Sequence, residues 1–315
     1  MKLNINKRKW GSILFAFILA TASTLFLAKY GGEYGILLFV LTPFLIGLTP
    51  ILLYDSNKEL SKKEVIQVGL ITLLLVGVML FITGIEGLIC IAMSAPIGIV
   101  LTILGSLIAY FIKRKRKKDN VLTAILIFAF SIPTMSFIDK QLTLTLNSVK
   151  TSIIVDASIE KVWDNVVTFP KLKEPNDYLF KAGISYPIEA TIEGQGKGAI
   201  RYCKFNTGDF IEPITTWNEP NELSFDVQQQ PLPMKELSFY DIDAPHLHDY
   251  FLSKKGQFKL TKINDNKTLL EGTTWYTYNI RPEIYWKIWS NYIIHKIHFR
   301  VLEHIKTNAE RNEAA

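Results

Sequence analysis

The chain has 315 residues, 49% of them hydrophobic, and carries a net charge of +6. That length accommodates two domains. The charge is uneven: the first 148 residues hold 15 Lys and Arg against 7 Asp and Glu, and the remainder hold 20 against 22. A basic excess confined to the apolar half argues against nucleic acid as a partner, because a nucleic-acid binder needs its basic stripe on the folded domain.

In chain order, the first 140 residues are a membrane region. Five apolar runs, at about 11–28, 35–54, 65–83, 87–112 and 121–138, each come near the twenty residues needed to cross a hydrocarbon core. Thr83, Gly84 and Gly87 supply the break between the third and fourth runs, and Glu86 is expected at the water interface. Residues 1–30 have signal-peptide character, with "ATA" at 20–22 as a cleavage site. The apolar run continues through Leu27, however, and reads as an uncleaved anchor. Mid-span positions hold no acidic, basic or histidine residue, whereas pumps and proton-coupled transporters need such groups. The region reads as an anchor.

Lys and Arg near span ends stay in the cytoplasm. "MKLNINKRKW" carries four, "DSNKELSKKE" three and "KRKRKKDN" six, while the alternate segments hold only Lys29 and Lys140. With five spans, the N-terminus is cytoplasmic and the C-terminal half lies outside the cytoplasm. If "VLTAILIFAFSIPTMSFI" merely lay on the surface, that half would be cytoplasmic. The six-residue basic run reads as a topology signal, with anionic-lipid binding as its sharper alternative.

Residues 141–148 are a linker, and 149–315 read as an α+β domain. "TSIIV" is a β-branched strand. Asp156 or Ser158 caps a helix carrying Val162, Trp163 and Val166, and Pro170 ends it. Short strand-like segments follow, separated by "NTGD", "NEPNE" and "NDNK" turns, as antiparallel hairpins require. "EGQGKGA" lacks the strand-before, helix-after setting of a dinucleotide site and reads as a turn with a bulge. The insertion "QQQPLPMKELSFYDIDAPHLHDY" reads as a lid or as the cap of a sheet edge. A helix over about 282–310 carries Ile293, Ile294, Ile297, Val301 and Ile305 as one stripe. Together these elements predict a helix-grip domain, in which a curved antiparallel sheet wraps a long C-terminal helix. Cys90 and Cys203 fall in different halves and are not expected to pair.

The stretch "IIVDASIEKVWDNVVTFPKLKE" resembles the opening of the START-related, polyketide cyclase and dehydrase-like superfamily (SRPBCC). "EGQGKGAIRYCKFNTGDFIEPITTWNEPNELSFDV", "APHLHDYFLSKKGQF", "LLEGTTWYTY" and "PEIYWKIWSNYIIHKIHFRVLEHIK" resemble a bacterial, membrane-attached subgroup of it. The resemblance covers about 149–310. It implies a cavity for hydrophobic ligands and a multi-pass protein of a bacterial cytoplasmic membrane. The superfamily holds lipid carriers, hormone receptors, cyclases and hydroxylase subunits, so the fold does not fix the function.

Several residues are candidates for the site. Glu212 and Glu271 sit in apolar strands, and a buried carboxylate must pair or act. Arg201 is a partner for them. His246 and His248, two apart in an extended stretch, would share a face. His295 and His298, three apart on the last helix, would share another. Four imidazoles suit zinc or copper, but no cysteine or acidic signature completes a site, so no metal and no cofactor are expected. Arg201, Glu212, His246, His248, Glu271 and His298 are the expected polar contacts of a ligand, and Trp275, Tyr276 and Trp289 the apolar walls. The expected function is a membrane-anchored binding protein for a hydrophobic small molecule or lipid. One alternative is a cyclase, dehydratase or hydrolase using Glu212, His246 or His248 as general base. Another is a scaffold or sensor with a vestigial cavity. Oligomeric state is not legible.

Overall fold

The computed structural model describes residues 7–26, 34–54, 61–115, 134, 143–248 and 250–311. The chain forms two compact units. One holds the residues up to 143 together with 236–245 and 279–286; the other holds 144–235, 246–278 and the residues from 287 onward.

The first unit is helical: α1 (Lys7–Phe26), a π-helical turn (Leu37–Leu41) running into α2 (Thr42–Leu53), α3 (Lys62–Ile82) and α4 (Leu88–Lys115). Among the described residues, three helices are long and apolar enough to cross a membrane, namely Lys9–Phe26 of α1, α3 and Leu88–Arg114 of α4; the apolar stretch Leu37–Leu53 is shorter. The fifth expected span, 121–138, lies outside the described residues except for Thr134. Ser61 and Glu64 form a capping box that starts α3. Leu74, Ile82 and Val100 turn outward, each more than half exposed, as surfaces facing lipid tails do.

Small residues allow these helices to meet closely. A Cβ on Gly47 would lie 2.0 Å from the Thr102 carbonyl oxygen, and one on Gly105 would lie 2.1 Å from that of Phe44. Where the backbones touch, Thr102 Oγ1 donates to the Pro43 carbonyl at 2.9 Å and Ser106 Oγ to the Gly47 carbonyl at 3.2 Å. Close approach with hydroxyl-to-carbonyl bonds holds helices together where burial supplies little driving force.

Two stretches of the C-terminal half of the sequence belong to this unit. Leu88 N donates to the Leu237 carbonyl at 3.0 Å, and Phe239 packs on Phe81 with centroids 5.5 Å apart. Arg281 donates from its backbone to the Tyr34 carbonyl and from its guanidinium to the Thr143 carbonyl, both at 2.9 Å. Trp286 sits edge-on to Phe39 at 4.8 Å. Glu86, expected at the water interface, lies in the α3–α4 turn but is buried there, where it accepts the Tyr34 hydroxyl at 3.0 Å. Burial pushes its carboxyl up to about 8; the Tyr34 hydrogen bond pulls against this and Glu236 adds to it.

The second unit contains β1 (Asn147–Val155), α5 (Ile159–Val167), the short α6 (Tyr178–Lys181), β2 (Pro187–Glu193), β3 (Ile200–Phe205), β4 (Gly208–Asn218), β5 (Glu222–Asp226), β6 (Phe251–Asn264), β7 (Lys267–Tyr278) and most of α7 (Glu283–Arg311). The strands form one sheet in the order β1-β7-β6-β5-β4-β3-β2, with every pair antiparallel. Gly194, Gly196 and Gly198 all take positive φ in the β2–β3 turn, a conformation that glycine adopts without cost. On α5, Ile159, Val162, Trp163 and Val166 are buried, as their helical spacing predicts. From α7, Val301, Leu302, Ile305 and Ala309 join Val155, Leu223, Leu260 and Leu270 of the strands in one core. Each fully buried aliphatic there contributes about 1.5–3 kcal/mol. This is a helix-grip fold: a curled seven-stranded sheet packed against a long C-terminal helix.

The long insertion serves both units. Its first part stays with the sheet: Ser185 N donates to the Pro233 carbonyl, and the Gln230 side chain spans Phe251 O at 2.6 Å and Ser253 N at 2.8 Å. Its second part, 236–245, belongs with the helices.

Candidate functional site

Side chains alternate across a strand, so register decides what faces α7. On β7, Leu270, Gly272, Thr274 and Tyr276 face the helix. Gly272 lies against Leu302 and His298, and Thr274 bonds His298. Among the described residues, two polar groupings lie within this apolar core.

The first lies across β3 and β4. Arg201 and Glu212 are directly opposite in the register and form a hydrogen-bonded ion pair. Their side chains are only 2% and 7% exposed. The guanidinium carbon sits 5.3–5.7 Å from the ring centroids of Phe169, Phe225 and Phe258. Burial opposes its charge most strongly, but the Glu212 carboxylate and the neighbouring Cys203 sulfur together outweigh it and hold Arg201 above its ordinary value. A guanidinium keeps its proton in a protein, so Glu212 serves as its counter-ion. Among the described residues, Arg201 Nε is buried without a hydrogen-bond partner.

The second grouping joins β1, β7 and α7. Thr151 Oγ1 lies 2.6 Å from His295 Nδ1 and 3.0 Å from His298 Nδ1, and His298 Nε2 lies 2.8 Å from Thr274 Oγ1. A hydroxyl has one proton, so Thr151 donates to one imidazole and accepts from the other. The tautomers of the two rings are therefore coupled. Burial drives the His298 pKa down to about 4, and His295 pushes the same way, so His298 is neutral at pH 7. A turn further along, the Tyr276 hydroxyl donates to Asn291 Oδ1 at 2.6 Å.

The other expected site residues are placed differently. Glu271 and Trp275 have the opposite parity to Thr274 and Tyr276 and stand on the outer face, where Glu271 pairs with Lys150 and Lys255 lies 5.3 Å over Trp275. Trp289 is nine residues from His298, half a revolution away on an α-helix, and does not share its face. His246 lies in a 3-10 turn, Pro245–Leu247, not an extended stretch; it is buried while His248 is exposed, so the two do not share a face. Burial lowers the His246 pKa to about 4, with His248 acting in the same direction. Tyr276 is fully buried and stacks on Phe251 at 5.2 Å. Thr151, Thr274 and Asn291 went unnoticed in the sequence. Spacing could have found Asn291, which is on the same helical face as His295, His298 and Leu302.

No family model and no curated protein matches the chain. Among solved structures, a norcoclaurine synthase point mutant from Thalictrum flavum, in complex with a transition-state analogue, is 11% identical; the match covers 55% of this chain and 99% of that one, at a TM-score of 0.35. The ZhuI aromatase/cyclase from Streptomyces sp. R1128 is 13% identical over 53% and 95% of the two chains, at 0.34. A START superfamily protein from Mycobacterium smegmatis is 13% identical over 52% and 97%, at 0.34. The fold assignment rests on this chain's own strand order and helix. At such identities and scores, nothing of those proteins' chemistry transfers to it.

Proposed function

We propose that the chain is a membrane-anchored binding protein for a hydrophobic small molecule or lipid carrying a polar acceptor group. The ligand would lie between the sheet and α7, with its acceptor directed to Arg201. The observation that carries this reading is the Arg201 Nε–H, a charged donor buried among three phenylalanine rings with no partner among the described residues. An apolar interior with few oriented polar groups is the common form of a small-molecule site. Thr151, Thr274, His298, Tyr276 and Asn291 form the second polar edge of that interior. The alternative of general-base catalysis by Glu212 has less support, because Arg201 occupies that carboxylate.

We also infer that this half lies outside the cytoplasm. Leu237 and Arg281 bond residues at the α3–α4 end of the first unit, Leu88 and Tyr34, and Arg281 also holds Thr143. The opposite end of α4 is Lys115, at the far end of a helix of 28 residues. A crossing by residues 121–138 would return the chain to the α3–α4 end, the side opposite the basic loops.

The test is native mass spectrometry of the full chain released from detergent, beside an Arg201→Lys variant. Lysine keeps the charge facing Glu212 and removes the Nε donor. Extra mass extractable into organic solvent, at least tenfold depleted in the variant, is the expected result. A wild-type chain with no bound organic mass, or equal retention in both proteins, would remove the basis for the proposal. Labelling of an Asp265→Cys variant by a membrane-impermeant maleimide in intact cells tests the sidedness.

A further inference from the structure

Among the described residues, the two most exposed large hydrophobic side chains are Ile284, at 84%, and Phe239, at 83%. Both lie in the short stretches that the C-terminal half of the sequence sends to the helical unit. Neither stretch is apolar enough to span a membrane, and neither is part of the ligand site. Their surroundings within that unit fix their level. Phe239 packs at a tilt against Phe81, the penultimate residue of α3. Tyr240, more than half exposed, covers Gly84, where a Cβ would meet its ring at 2.8 Å. Leu237, also exposed, accepts the backbone N–H of Leu88, the first residue of α4. The Tyr285 hydroxyl, beside Ile284, donates to the carbonyl of Met93, five residues into α4 and so roughly 7.5 Å along its axis.

The 21 residues of α3 extend roughly 31 Å, close to the roughly 30 Å hydrocarbon thickness of a bilayer. Its last turn therefore coincides with the edge of the hydrocarbon when the helix crosses. Ile82 and Leu88, which flank the turn, are themselves about half exposed, so the exposed side chains of Leu237, Phe239, Tyr240 and Ile284 lie at the level where the exposed apolar side chains of the spans end. Aromatic rings with one polar edge favour this headgroup level, and isolated aliphatic side chains held there are shielded from water.

We propose that residues 237–240 and Ile284 are a monotopic membrane contact, inserted at the headgroup–acyl boundary of the bilayer that α3 and α4 cross. The exposed patch is thus covered by lipid, not by a second copy of the chain. Asp241 and Asp243 follow the inserted aromatics and remain in the headgroup water.

The inference rests on α3 spanning the bilayer, and the experiment separates the two. Phe239→Cys, Ile284→Cys, Leu74→Cys and Asp265→Cys variants of the full chain are spin-labelled, with the unaltered chain as labelling control. They are placed in phosphatidylcholine nanodiscs and relaxed by molecular oxygen and by a water-soluble nickel chelate. Leu74 reports the span and Asp265 reports water. The expected result is that labels at 239 and 284 are at least threefold more accessible to oxygen than to nickel, at depths between those of Leu74 and Asp265. If Leu74 reads as hydrocarbon while 239 and 284 match Asp265, the contact is refuted and the span stands. If Leu74 itself reads as water, the span reading fails and takes the proposal with it. Labels at 239 and 284 shielded from both reagents would mean a protein partner and would overturn the proposal.

Discussion

Replacing Glu212 by alanine leaves the Arg201 guanidinium charged and unpaired inside the core. Both side chains are more than nine-tenths buried, so solvent screening does not discount the pair. Three aromatic faces offer only weak electrostatic compensation. Removing one member of a buried ion pair costs about 3–5 kcal/mol, whereas replacing both by apolar groups of similar volume is often close to neutral. We therefore expect Glu212→Ala and Arg201→Met each to lower stability by about 3–5 kcal/mol. The Arg201→Met, Glu212→Leu double variant should lose less than either single variant. At about 1.4 kcal/mol per tenfold change, the single substitutions shift the folding equilibrium by at least roughly a hundredfold. Trp163 and Trp217, edge-on at 5.6 Å in the same unit, report its unfolding by fluorescence during urea titration in detergent. Single losses under about 1 kcal/mol, or a double variant equal to the sum of the singles, would show that the pair is neither desolvated nor coupled.

The depressed His298 pKa makes stability depend on pH. Between about 4 and 6.5 the unfolded imidazole binds a proton that the folded one refuses, so stability falls as pH drops through that window, by at most about 3 kcal/mol. His246 has the same sign, so His298→Gln should reduce the slope of stability against pH without abolishing it. Thr151→Val strands two imidazole nitrogens and should cost about 1–3 kcal/mol, with Thr151→Ser close to wild type, as thermal unfolding would show. Gly105→Leu should lower the melting temperature and loosen α2 from α4, whereas Gly11→Ala, with nothing within 4 Å of its Cβ, should not.

Much of the sheet-bearing half is legible because its signals are local. β-branched alternation, turn residues and the α5 and α7 stripes each specify an element without knowledge of the others. The site is less legible. Parity alone separates Glu271 and Trp275 from Tyr276, but which set faces inward follows only from contact with α7. His246 and His248 read as an extended pair because nothing in "PHLHDY" announces a 3-10 turn. Thr151 and Thr274 are unremarkable as strand residues, and their role exists only where β1, β7 and α7 meet. The attachment of residues 236–245 to the membrane helices has no periodicity at all. It depends on a ring contact and a backbone bond to residues about 150 positions earlier.

That attachment bears on how the protein can be divided. Hydropathy invites a cut after residue 143, yet a shortened polypeptide starting there would keep Phe239 without Phe81 and Trp286 without Phe39. Trp286, buried in the full chain, would then face water, and so would Leu237, Phe239 and Ile284, which are exposed in the full chain and assigned above to the bilayer. Such a fragment should self-associate whatever the stability of its sheet. Polar replacements at Leu237, Phe239, Ile284 and Trp286 are the changes that would make it tractable in solution.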